Sequence, residues 1–78
     1  MAAPHAIHDE FPGDADRIHQ LKMTDGHFAR LLEEYDRIND QVAGAESRQA
    51  PMSDEAETDL RKRRARLKDE IARALAGG

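Results

Sequence analysis

Phe28, Leu31, Tyr35, Ile38, Val42 and Ala45 follow one another at spacings of 3, 4, 3, 4 and 3 residues. That alternation is the seam of helices packed with a left-handed twist, and it commits the stretch to a helix with one apolar stripe. The stripe stops in AESRQAPM, Ala45–Met52, where Pro51 restricts Ala50 to extended conformations and argues against a single continuous helix. A second start signal follows at once. Ser53 stands at an N-cap position, with Asp54, Glu55 and Glu57 where the positive end of a helix favours carboxylates. The helix it opens carries Leu60, Leu67, Ile71 and Ala74 on one stripe, with Leu75 beside them.

Folding the chain back at Pro51 tests whether the two stripes meet. In an antiparallel pair, facing residues have position numbers with a nearly constant total. Ile38 with Leu60, Leu31 with Leu67 and Thr24 with Ala74 each total 98, and Phe28 with Ile71 totals 99. One turn aligns the stripes without a slip, which predicts a helical hairpin. Tyr35 falls opposite Arg64 and Val42 opposite Glu57 in this register. The expected seam is therefore Phe28, Leu31, Tyr35, Ile38, Val42, Leu60, Arg64, Leu67, Ile71 and Ala74. Arg64 is expected to lie over the tyrosine ring or to cover the seam with its stem, so that Arg64→Leu should stabilise the pair.

The fold class is all-α: an antiparallel two-helix hairpin with a short extra helix before it. Residues 1–13 hold Pro4, Pro12 and Gly13 without periodicity and are expected to be a flexible arm. Residues 14–78 form the domain: a short helix over about 14–23 capped by Asp14 or Asp16, a helix over about 25–48, a turn near 49–52 and a helix over about 53–76. Asp25 is a plausible cap for the second of these, with a continuous helix through 24–26 as the alternative. With 78 residues, 38% of them hydrophobic and no cysteine, the chain is near the lower size limit for an independent core. Ile18, Leu21, Leu32 and Leu75 lie off the seam and leave a second apolar surface. Either the short helix folds over it or a second copy does, and a dimer of two hairpins is the preferred expectation.

LRKRRARLKDEI, Leu60–Ile71, places six Lys or Arg in the eight positions from Arg61 to Lys68. Arg61, Lys62, Arg63, Arg66 and Lys68 are the candidates for contact with nucleic acid. That function requires positive potential toward phosphate, usually with stacking or groove-reading groups. No aromatic follows Leu60, and the chain carries a net charge of −4. Residues 1–60 hold five basic and fourteen acidic side chains, and residues 61–78 seven basic and two acidic. Glu33, Glu34, Asp36 and Asp40 on the first long helix would border the basic run, so a charge-matched helix pair is preferred over a phosphate-binding patch.

Leu21–Val42, LKMTDGHFARLLEEYDRINDQV, followed by an acidic turn and LRKRRARLKDEI, resembles the YdcH family of small bacterial proteins. The similarity rests on D-x-x-F-x-x-L, here Asp25, Phe28 and Leu31, and on the basic run ending in L-K-D-E-I, here Leu67 to Ile71. It spans roughly Ile18 to Leu75. The resemblance implies a cytoplasmic bacterial helical hairpin of unassigned role, and it supplies no catalytic residues.

No Ser/His/Asp or Cys/His set and no glycine-rich phosphate loop is present, so no enzymatic activity and no cofactor are expected. His5 and His8 lie three apart beside Asp9 and Glu10, yet no ligand set is preformed, and no metal site is expected. Glu46, Asp54, Glu55 and Glu57 would put carboxylates at the hairpin tip. Some transcription factors reach into RNA polymerase with acidic-tipped coiled coils, but a helix N-terminus already accounts for three of the four. The N-terminus has no basic region or apolar run, and no segment approaches a membrane span, so a soluble cytoplasmic chain is expected. The function expected is a small interaction or scaffold protein acting through self-association or a partner helix. The alternative is a regulator associated with nucleic acid or RNA polymerase.

Overall fold

The computed structural model describes residues 5–77. Four helices follow in order: α1 (Ile7–Glu10), α2 (Ala15–Thr24), α3 (Gly26–Glu46) and α4 (Asp54–Gly77). No strand occurs among the described residues. α3 is the hub, packing against α4, α2 and α1. At a rise of about 1.5 Å per residue, α4 is roughly 36 Å long, close to the 37 Å longest dimension of the molecule.

Local chemistry explains where the helices begin. Asp25 is extended, with φ −128° and ψ 105°, and its Oδ1 accepts the amides of His27 at 3.0 Å and Phe28 at 3.2 Å. This cap separates α2 from α3, so the helix does not run through 24–26. Ser53 Oγ accepts the Ala56 amide at 3.1 Å and caps α4 in the same way. Neither acidic residue expected to cap α2 does so. Asp14 occupies the N-cap position without a side-chain bond, and Asp16 lies inside the first turn.

α3 ends at Glu46, about two residues before the expected 48, because the turn has its own hydrogen-bond pattern. The Arg48 amide donates to the Ala45 carbonyl at 3.2 Å and the Gln49 amide to the Gly44 carbonyl at 3.0 Å. Arg48 has φ 64°, the left-handed conformation that this C-terminal motif requires and that glycine ordinarily supplies. Pro51 follows and directs the chain into α4.

The core surrounds α3 on two sides. Ile38, Val42 and Ala45 are buried toward the turn, while Phe28, Leu31, Leu32 and Tyr35 join Ile7, Ile18 and Ile71 in one apolar cluster. Phe11, Leu21, Leu67, Ala74 and Leu75 pack against that cluster while remaining half-buried. Residues 5–13, expected to be a flexible arm, thus carry a helical turn whose Ile7 is buried and whose Phe11 contacts the core. The rest of that expected arm, residues 1–4, lies outside the described residues.

Arg48→Gly is expected to stabilise the protein by about 0.5–1 kcal/mol, since glycine adopts the left-handed turn without the Cβ penalty. The denaturant midpoint should rise with an unchanged slope. An unchanged or lower midpoint would show that the turn places no such demand on position 48.

Candidate interaction face and its polar latch

The expected seam is largely inside the protein. Phe28, Leu31, Tyr35, Ile38, Val42 and Ile71 are buried, while Leu60, Arg64, Leu67 and Ala74 are half-buried along α4. Cross-contacts between α3 and α4 run in opposite sequence directions: Arg61 to Glu46, Arg64 to Asn39 and Arg63 to Glu34. Arg64 corrects the expected seam chemistry. Its Nη1 donates to the Asn39 Oδ1 at 2.9 Å, and Asn39 is only 3% exposed. The guanidinium is therefore engaged by a buried amide.

Sequence reasoning missed Asn39. It follows Ile38 and looks like a polar flank when one stripe is considered alone. A signal was available: Leu32, Tyr35, Asn39 and Val42 form a second row at spacings of 3, 4 and 3 residues. A lone asparagine in such a row selects a register by requiring a polar partner.

The surface expected to drive self-association is covered within the chain. Ile18 and Leu32 are 4% and 7% exposed, and Leu21 and Leu75 are half-buried against the same cluster. Of the two ways to cover this surface, the structure uses the chain's own N-terminal segment. The reason is polar as well as apolar. Tyr35 is fully buried in the middle of α3, and its hydroxyl donates to the His5 carbonyl at 2.6 Å. A buried phenol needs such an acceptor.

Three further contacts tie the segment down. His5 Nδ1 meets Glu10 Oε1 at 3.0 Å, and the other oxygen of Glu10 meets Lys68 Nζ at 3.3 Å. Arg17 Nε donates to the Leu75 carbonyl near the end of α4 at 3.2 Å. Hydrogen bonding from His5 is the largest influence lowering the Glu10 pKa below its ordinary value; partial burial opposes it, and Lys68 adds to it. Burial raises the Tyr35 phenol above its ordinary value, the Glu10 and Asp36 charges add to that, and Arg64 opposes it. Among the described residues no buried side-chain polar atom lacks a partner.

The basic run is divided by this geometry. Arg61 bridges Glu46 at 3.2 Å and Glu57 at 3.3 Å, Arg63 reaches Glu34 at 3.5 Å, and Lys68 reaches Glu10. Of the four carboxylates expected to border the run, only Glu34 forms an ion pair with it. Lys62 and Arg66, one turn apart, are exposed. At the tip, Arg61 draws in two of the four carboxylates, leaving Asp54 and Glu55 in the first turn of α4. No group of three or more His, Cys, Asp or Glu suited to a metal ion occurs among the described residues. A cavity of about 180 Å³ lies between the N-terminal segment and α3, with Ile7, Ile18 and Leu32 at its base and His8, His19, Lys22 and Asp36 at its rim.

Three predictions test this site. Arg64→Leu is expected to lower stability by about 1–3 kcal/mol, because it removes a charged donor from a buried amide oxygen. The Asn39→Leu/Arg64→Leu double variant should recover part of that loss, since the guanidinium and the amide oxygen it serves leave together. A stabilised single variant would place Arg64 back on a purely apolar seam. Tyr35→Phe should cost roughly 0.5–1.5 kcal/mol and should remove an alkaline transition. The raised phenol pKa contributes stability below about pH 10, which is lost as pH rises through the folded value. Glu10 acts at the other end of the pH scale. Its lowered pKa contributes stability above about pH 4 that is lost as pH falls through the folded value. Amide shifts of residues 5–11 in acid should therefore follow Glu10, and Glu10→Gln should abolish that transition.

The family described as "Protein of unknown function (DUF465)" matches residues 28–75, which take in nearly all of α3, the turn and most of α4. No curated protein and no solved structure matches the chain. Residues 5–27, which include α1 and α2, lie outside the matched span. With more than half of its length matched, including the Phe28-x-x-Leu31 stretch and the Leu67–Ile71 element, the chain belongs to the YdcH-like DUF465 family of small proteins of unknown function.

Proposed function

We propose that this chain is a small, non-enzymatic, cytoplasmic interaction module, a helical hairpin whose α3 face holds an amphipathic helix. One observation carries the reading. The face formed by Phe28, Leu31, Leu32, Tyr35 and Ile71 is occupied by Ile7 and Ile18 from outside the family-matched span. The family unit therefore presents a surface that accepts a helix, with apolar anchors around a central polar acceptor–donor pair. A cysteine-free composition is compatible with a reducing compartment. No described helix is long and apolar enough to cross a membrane.

The test uses an opened face. Ile18→Asp places a charge in the apolar cluster and should release α2. A synthetic peptide of residues 5–25 is then added. It contains no tyrosine, and Tyr35 is the only tyrosine of the protein, so tyrosine fluorescence reports the host alone. Saturable binding in the micromolar range is expected; no saturable change in a folded host would remove the helix-holding reading.

A second reading is favoured by the exposed pair Lys62 and Arg66. It makes the protein a regulator associated with nucleic acid or, through Asp54 and Glu55 at the tip, with RNA polymerase. Titration with duplex DNA and RNA at several salt concentrations separates the two readings. Micromolar binding at physiological salt, weakened by charge reversal at Lys62 and Arg66, would favour the second.

A further inference from the structure

The connection between α2 and α3 is a single non-helical residue, Asp25. Across it the apolar spacing never loses phase. Ile18, Leu21, Asp25, Phe28, Leu32 and Tyr35 lie at 3, 4, 3, 4 and 3 residues, with Asp25 the only polar member. A helix running unbroken from Ala15 to Glu46 would thus keep one coherent stripe. We infer that the N-terminal segment is exchangeable between two copies of this chain: α2 and α3 fuse into one helix, and each copy's residues 5–24 dock on the other's α3–α4 face. The inference rests on the helix-holding reading above and names the occupant of that face as a second copy.

The energetics of exchange are close to balanced, which is the condition for such a switch. The anchors and polar contacts of the segment join residues 5–21 to residues 28–75: Ile7 and Ile18 in the cluster, Tyr35 to His5, Lys68 to Glu10, Arg17 to Leu75. All of them are remade between copies after exchange, because none depends on the connection at Asp25. The difference is confined to the hinge. Straightening releases the two bonds that Asp25 Oδ1 accepts from His27 and Phe28. In return, the amides of Gly26, His27 and Phe28 gain the carbonyls four residues before them. Gly26 has open space around the position of a Cβ, so nothing crowds the hinge residue itself.

The hinge also supplies the one new contact that exchange creates. Met23 is 74% exposed and is the one exposed large hydrophobic among the described residues. It sits two residues before the bend, where two straightened helices would cross. Exchange would bring the Met23 side chains of the two copies to that crossing and cover apolar surface that the closed chain leaves open to solvent.

Sedimentation equilibrium of hinge variants tests the inference. Asp25→Ala removes the cap from the bent form and adds a strong helix former to the straight one. Both effects act in each copy, so the association constant should rise about a hundredfold over the wild-type chain. Gly26→Pro acts in reverse. Proline suits the first position of α3 and favours the extended backbone that Asp25 already has, while it breaks a continuous helix. The double variant Asp25→Ala/Gly26→Pro should return to monomer.

Equal association of Asp25→Ala and wild type, or a dimer that survives Gly26→Pro, would overturn the exchange. If Asp25→Ala does not fold, an equimolar mixture of Glu10→Cys and Lys68→Cys copies decides. After incubation at high concentration, a short bis-maleimide should link one copy to the other, since these positions face each other across the latch. Absence of that mixed cross-link also overturns the inference. Failure here with continued binding of the 5–25 peptide would remove the exchange and leave the helix-holding face standing.

Discussion

The structure depends on the burial of Tyr35. A tyrosine in the middle of α3 contributes a large apolar ring to the core and brings a hydroxyl that cannot be left unpaired there. The acceptor is the backbone carbonyl of His5, thirty residues away in sequence, in a residue held at φ 66°. Satisfying one hydroxyl therefore requires the N-terminal segment to lie across α3. Once it does, Ile7, Phe11 and Ile18 have a surface to cover. The ion pair from Glu10 to Lys68 then adds a contact between the segment and α4, although exposed pairs of this kind contribute little individually.

This arrangement joins the span that the family model matches to the segment that precedes it. The shared span supplies α3, the left-handed turn at Arg48 and most of α4. Its apolar residues face two directions. Ile38, Val42 and Ala45 are buried toward the turn end, and Leu32 and Phe28 meet the incoming segment. A helix that is apolar on two sides must be covered on two sides. Two helices alone leave one side open, which is why a chain of this composition needs either its own third element or a partner.

Much of the architecture was legible in the sequence because it follows from local signals. The 3-and-4 spacing from Phe28 to Ala45, the Asp25 and Ser53 caps and the break at Pro51 each specify a feature found in the structure. The packing of residues 5–13 was not legible. Pro12 and Gly13 erase periodicity there, and Ile7 and Phe11 are isolated anchors whose burial is decided by α3 rather than by their own neighbours. Asn39 was obscured for a related reason: a residue beside the main stripe becomes interior only when the helix is flanked on both sides. The partners of the basic run depended on reach. Arg61 pairs with Glu46 and with Glu57 one turn before it, and Lys68 with Glu10 of the N-terminal segment, not with the Asp36 and Asp40 that register alone suggests.

The one-residue connection at Asp25 has a consequence for any partner of the α3 face. A segment joined so closely to its binding surface acts as a ligand at an effective concentration on the order of millimolar or higher. A free helix present at micromolar levels competes against that local excess, so matching the intrinsic affinity of α2 is not enough to displace it. The tether sets a threshold that screens out weak amphipathic helices. Without any change in the face itself, the length of the connection determines how selective the surface is.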